Sequence, residues 1–138
     1  MTSPPFLDTN VLVYFFSADQ RRRTRTEELL AQGGTVSVQV LNEFASVART
    51  KLRFGWEYFR QVREQVLLMV AEPVPLTLET HRRAVEICSR YGFTIYDGLI
   101  LASAVEAGCA MLYTEDLQHG QVVESVRIEN PFLGTGTQ

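Results

Sequence analysis

Phe6-Leu7-Asp8-Thr9-Asn10-Val11-Leu12-Val13-Tyr14-Phe15-Phe16 is the stretch on which the fold turns. Ser3 to Asp8 reads as a short buried strand that ends on an acid. Asp8-Thr9-Asn10 then supplies the side-chain oxygens that open a helix. Val11 to Phe16 is too continuously apolar to assign by period, but a helix after the strand fits the capping chemistry. A strand that hands over directly to a helix starts a β–α unit, and such units build parallel sheets.

The rest of the chain keeps that alternation. Arg21 to Gln32 is expected to form a polar-faced helix closed by Gly33-Gly34, and Thr35 to Val38 alternates with period two as a second strand. Val40, Phe44, Val47 and Ala48 recur at helical spacing in the next helix. Trp56 to Ala71 reads as a helix stopped by Glu72-Pro73, and Pro73 to Leu76 can hold only a short or edge strand. Leu78 to Tyr91 ends as a helix at Gly92, and Tyr96 to Ala107 ends at Gly108. Ala110 to Thr114 and Val126 to Ile128 are the remaining strand candidates. The expectation is a three-layer α/β sandwich with a mainly parallel central sheet. One domain would cover residues 1–132, and residues 133–138 would form a loose tail.

Composition agrees with one globular domain. The chain has 138 residues, of which 46% are hydrophobic and 21% charged. The two cysteines, Cys88 and Cys109, lie in apolar stretches, which excludes a disulfide scaffold and favours a reduced, cytoplasmic protein. The longest apolar runs, Val11 to Phe16 and Val66 to Ala71, fall far short of the roughly 20 residues that cross a bilayer. Thirteen Lys and Arg against sixteen Asp and Glu give a net charge of −3, so a general nucleic-acid coat is not indicated.

Four acids nevertheless stand apart. In parallel α/β sheets, sites form beyond the carboxyl ends of the strands. Asp8 ends the first strand, Asp116 follows the Ala110 to Thr114 strand, Glu43 lies early in the helix after the second strand, and Asp97 lies in the first turn of the Tyr96 helix. Each has a plain alternative: a cap for Asp8, a helix-dipole partner for Asp97, a solvated helix face for Glu43, turn chemistry for Asp116. Convergence on one rim raises them together. Clustered carboxylates repel, so they must share protons or hold cations. Oxygen-only ligands suit Mg²⁺ or Mn²⁺, and no Cys/His set for zinc is present. Such ions assist attack of water on phosphorus, which makes a phosphodiester the natural substrate.

At these residues the chain resembles a known family. Leu7-Asp8-Thr9-Asn10, Glu43, Tyr96-Asp97 with the Leu-Ile-Leu-Ala-Ser-Ala run after Gly98, and Thr114-Glu115-Asp116 are similar to the acidic motifs of PIN domains, over about Phe6 to Asn130. Its size is similar to that of the VapC-type ribonuclease toxins of toxin–antitoxin pairs. The resemblance implies Mg²⁺- or Mn²⁺-dependent endonucleolytic cleavage of RNA, a cognate antitoxin protein that blocks the site, and a homodimer. It implies Asp8 and Asp97 as principal metal ligands, with Glu43 and Asp116 completing the catalytic pocket. Thr114 is implied as hydrogen-bonding support, and Asn10 as a weaker one; Glu115 is expected to face solvent.

Several features stand around these motifs. Arg21-Arg22-Arg23-Thr24-Arg25 reads first as a solvated helix start, yet cations are disfavoured at that end of a helix, which leaves room for RNA phosphate contacts. Arg49, Lys51 and Arg53 form a second basic group beyond Glu43, and if both groups flank the acid pocket they are expected to hold RNA backbone. Phe54 to Phe59 is aromatic-rich and reads as core packing, with a docking surface as the rival. His81 and His119 read as surface residues. Two alternatives stay within the family, a PIN-like RNA- or protein-binding module without cleavage and a housekeeping RNA-processing nuclease. A haloacid-dehalogenase-like phosphatase fits poorly, because Asn10 stands where a second acid is needed.

Overall fold

The computed structural model describes residues 3–134. Ten elements follow along the described residues: β1 Phe6–Leu7, α1 Thr9–Tyr14, α2 Gln20–Ala31, α3 Val38–Thr50, α4 Trp56–Met69, α5 Leu78–Tyr91, α6 Ile95–Glu106, β2 Met111–Tyr113, β3 Val122–Val123 and β4 Val126–Glu129. The four strands form one sheet in the order β1-β2-β4-β3. β1 pairs with β2 and β2 with β4 in parallel, and β3 closes against β4 as an antiparallel hairpin. The expected α/β architecture with a mostly parallel sheet is the one observed.

Capping chemistry places the helices. Asp8 caps α1 and accepts from Thr9 N at 2.7 Å, so the acid that ends β1 also opens the next helix. Asp19 caps α2, accepting from the backbone N–H groups of Arg21 and Arg22 and pairing with the Arg22 guanidinium at 3.1 Å. These contacts hold the Asp19 carboxyl below its ordinary range, the Arg22 N–H first among them. Thr77 and Thr80 close a capping box on α5, and Gly92 (φ 82°) ends that helix in the left-handed region that favours glycine.

Two strand expectations need correction. Thr35 to Val38 does not form a regular strand: only Thr35 and Ser37 make bridges, to Phe6 and Val74, and Val38 already belongs to α3. Ser37 causes the break, because its hydroxyl caps α3 by accepting from Val40 N at 3.1 Å. The antiparallel β3 has no counterpart among the expected strands; it reaches β4 through Glu124, a non-glycine residue with φ 53°. Of the expected tail, Leu133 and Gly134 are exposed, and residues 135–138 lie outside the described residues.

The core runs from the sheet into the helices. Phe6, Leu7, Val11, Leu12, Val36, Val40, Phe44, Leu101, Leu112 and Ile128 are all buried, each contributing roughly 1.5–3 kcal/mol over its exposed state. α6 packs on α5, α3, β2 and β4 and is buried at Gly98 and from Ile100 through Ala104. That crowding fixes the end of α6 that carries Asp97. The aromatic stretch divides: Phe59 is buried and Phe54 packs on Phe16, while Trp56 and Tyr58 are 52% and 51% exposed. Cys88 and Cys109 are free thiols, as expected. Among the described residues no helix is long and apolar enough to cross a membrane.

Candidate active site

The carboxyl edge of the parallel strands opens into a cleft of about 520 Å³, and Asp8, Glu43, Asp97 and Asp116 all line it. Asp8 is set by the sheet: its N–H donates to Tyr113 O at 3.0 Å, holding it beside the end of β2. Glu43 projects from the second turn of α3 and accepts from Thr9 Oγ1 at 2.9 Å. Asp97 lies in the first turn of α6, where Thr94 caps the helix and its hydroxyl donates to Asp97 Oδ2 at 3.2 Å. Asp116 follows β2 and accepts from Asn10 Nδ2 at 3.0 Å.

Thr114 connects three of these groups. It is fully buried, and its hydroxyl donates to Asp8 Oδ2 at 2.8 Å. The same oxygen accepts from Asn10 Nδ2 at 3.2 Å and from Asp116 N at 3.1 Å. Both Asn10 amide hydrogens are thereby committed, which directs Oδ1 the other way, and that buried oxygen has no hydrogen-bond partner.

Asp8 is buried, and its charge is costly there. Its carboxyl is pushed up to about 6, chiefly because burial removes it from water. The hydrogen bonds from Thr114 and Thr9 pull the other way, and the Glu43 and Asp116 charges add to the rise. The site therefore holds more negative charge than it readily accommodates.

The donor set suits a hard cation. Every ligating atom that these four acids offer is oxygen, and Asn10 Oδ1 adds an acceptor with nothing to accept from. Among the described residues no three or more Asp, Glu, His or Cys side chains stand close enough together to hold a metal ion as a group. Mg²⁺ does not require such a group, since it keeps several waters and takes one or two protein carboxylates.

The other sequence candidates fall elsewhere. None of Arg21, Arg22, Arg23 and Arg25 lines the cleft. Arg22 pairs with Asp19 and Glu115 and lies over the Tyr14 ring, Arg23 donates to Ser17 O at 3.2 Å, and Arg25 donates to Pro131 O at 2.9 Å. The charge conflict at the start of α2 is met within the protein by Asp19. Glu115 does not face solvent freely as expected: it accepts from the Tyr14 hydroxyl and from Arg22 Nη2. Burial first, and then the Glu115 carboxylate, push the Tyr14 phenol up to about 12. His119 is exposed, and its Nδ1 accepts from Asn130 N at 3.0 Å. Four polar lining residues have no role assigned from sequence: Thr9, Tyr14, Ser46 and Tyr96. Thr9 and Tyr96 each neighbour one of the acids, the one signal that points to them.

Fold and cleft together define a class, an α/β domain that gathers carboxylates from distant segments at the carboxyl edge of a parallel sheet. The chain belongs to the PIN domain family, whose model matches residues 6–124. Among solved structures it is similar to a chain of a toxin–antitoxin complex from Klebsiella pneumoniae, with a TM-score of 0.69 and 19% identity over 92% of this chain and 97% of that one. It is similar also to a chain of DNA-bound VapBC from Salmonella typhimurium (TM-score 0.68, 22% identity, 95% and 99% covered). A third is from VapBC2 of Rickettsia felis bound to a promoter DNA fragment (0.61, 20%, 91% and 96%). At these identities the likeness is one of fold. No curated protein sequence matches the chain.

Proposed function

We propose that this protein is a Mg²⁺- or Mn²⁺-dependent endoribonuclease that acts as the toxin of a VapBC-type pair, held in check by an antitoxin protein. The observation that carries the reading is the single cleft lined by Asp8, Glu43, Asp97 and Asp116, with the buried Asp8 carboxyl lifted by its surroundings. Family membership and the fold shared with chains of toxin–antitoxin complexes support it.

Asp8 and Asp97 would hold the ion, with Glu43, Asp116 and the Asn10 amide oxygen within the same cleft. When bound, the ion offsets the charge of a phosphodiester and makes a neighbouring water more acidic. The protein's own contribution is orientation. Thr114 fixes Asp8, Thr9 fixes Glu43, Thr94 fixes Asp97, and Asn10 ties Asp116 to the Thr114 hydroxyl. Among the described residues none of the four carboxylates pairs with a cation of this chain, so their charge is left for a ligand to meet.

Purified protein is expected to cut RNA with Mg²⁺ or Mn²⁺ and to stop when a chelator is added. Asp97→Asn should lose the cutting while melting like the wild type. Equal cleavage by wild type and variant would reject the site, and cleavage untouched by chelator would reject metal dependence. Expression should slow growth unless a small partner protein is made alongside; unimpaired growth with an active nuclease would point to RNA processing instead.

A further inference from the structure

Tyr96 lies on the wall of the acid cleft, next to Asp97, and is 61% exposed. Other aromatic residues near the cleft are engaged: Tyr14 packs edge-on against Phe132, Phe16 against Phe44 and Phe54, and Tyr58 against Phe54. Among the described residues the Tyr96 ring has no ring stack, cation contact or hydrogen bond. Its exposed ring therefore presents an aromatic face to the cleft. Val13, Val47 and Ile100 give the same cleft an apolar side.

Lys51 is the one cation among the lining residues, and among the described residues it makes no ion pair. It caps the C-terminal end of α3, where the helix dipole favours positive charge. α3 and its cap bring Glu43, Ser46, Val47 and Lys51 to the cleft, and Lys51 stands two turns beyond Glu43, roughly 12 Å of helical rise. It is therefore placed to meet a phosphate further along a strand than the one beside the acids.

We infer that Tyr96 and Lys51 form a substrate subsite, in which the ring stacks on one unpaired nucleobase and the ammonium holds a neighbouring backbone phosphate. The inference rests on the ribonuclease reading and deepens it by naming two residues that would hold the RNA strand. A base inside a duplex has both faces covered, so an exposed ring serves only an unstacked nucleotide. Stacking accepts any base, so this subsite selects for strandedness more than for sequence.

The test is equilibrium binding of a short fluorescent single-stranded oligoribonucleotide, read by anisotropy with Ca²⁺ replacing Mg²⁺ and the strand checked for integrity. Tyr96→Ala is expected to weaken binding about tenfold and Tyr96→Phe less than about twofold. An oligonucleotide abasic at the stacked position should bind wild type about tenfold more weakly and lose nothing further with Tyr96→Ala. Lys51→Ala should weaken binding and flatten the slope of log affinity against log salt by about 0.7. Unchanged binding by Tyr96→Ala, or an equal loss in Tyr96→Phe, would overturn the subsite. So would a change in oligomeric mass with RNA affinity intact, which would assign the ring to a protein interface. A wild type that cuts RNA while Tyr96→Ala binds normally refutes the subsite alone. A wild type that neither binds nor cuts RNA refutes both readings.

Discussion

Replacing Asp8 by asparagine is expected to make the metal-free protein more stable at neutral pH and no more stable at pH 4. In the unfolded chain the Asp8 carboxyl ionises near 3.8, and in the folded protein near 6. Between those values the folded state keeps a proton that the unfolded state has released, so folding stability falls as pH rises. The stabilisation from a protonated Asp8 is whole below about pH 4 and gone above about pH 6. At about 1.4 kcal/mol for each pH interval, the span from 3.8 to about 6 amounts to about 3 kcal/mol. Asp8 is only 6% exposed, so solvent does little to screen the effect. The introduced amide presents either an N–H toward the Thr114 hydroxyl or a weaker acceptor than the carboxylate. Thr114 already accepts from Asn10 and Asp116, so roughly 1 kcal/mol is lost again. The net gain at pH 7 is about 2 kcal/mol, or roughly 6 °C in Tm. Urea melts of both proteins in chelator, from pH 4 to pH 8, measure it; comparison at each pH cancels the titration of acids that do not interact with Asp8. A variant no more stable than wild type at pH 7, or an advantage equally large at pH 4, would refute the account of Asp8.

Thr114→Val removes a buried hydroxyl with three partners and should destabilise the fold by about 2 kcal/mol at pH 7. It should also raise the pH at which Asp8 ionises, visible as a shifted pH profile of stability. Gly98→Ala should destabilise by roughly 1–3 kcal/mol in urea melts although alanine favours helices, because its Cβ would lie 2.3 Å from Cys88 Sγ and 3.0 Å from Ala84 O. Cys88→Ala in the same chain should restore part of that loss by clearing the sulfur and leaving the carbonyl. Glu43→Gln, on a half-buried side chain, should change stability by no more than about 0.5 kcal/mol while cleavage falls, measured on one preparation by melting and gel assay.

Much of this arrangement is legible in the chain because local chemistry and global topology agree. Asp8 ends a strand and caps a helix at once, so its place at the carboxyl edge follows from its immediate neighbours on either side. Thr94 stands three residues before Asp97, a spacing that opens α6 and fixes the acid in its first turn. Glu115 is the opposite case. Its partners Tyr14 and Arg22 are 101 and 93 residues away, and nothing beside Glu115 announces them. The Thr35 to Val38 alternation suggests a strand of ordinary length, but the capping preference of Ser37 overrides the period. β3 has two residues, too few for any periodicity to register. Lys51 is legible only as one of a basic group and Tyr96 only as the neighbour of Asp97; their common place on the wall of the cleft is set by the fold.

On the proposed toxin role, the order of strands also bears on when the protein can become harmful. β2 lies between β1 and β4, and the loop after β2 delivers Asp116 to Asn10, a residue made 106 positions earlier. A chain still emerging from the ribosome has Asp8, Glu43 and Asp97 but no central strand to draw them together until β2 and β4 have been extruded. The four acids are thus assembled only once the last of these strands has left the ribosome, so a truncated product ending before β2 should carry no complete cleft.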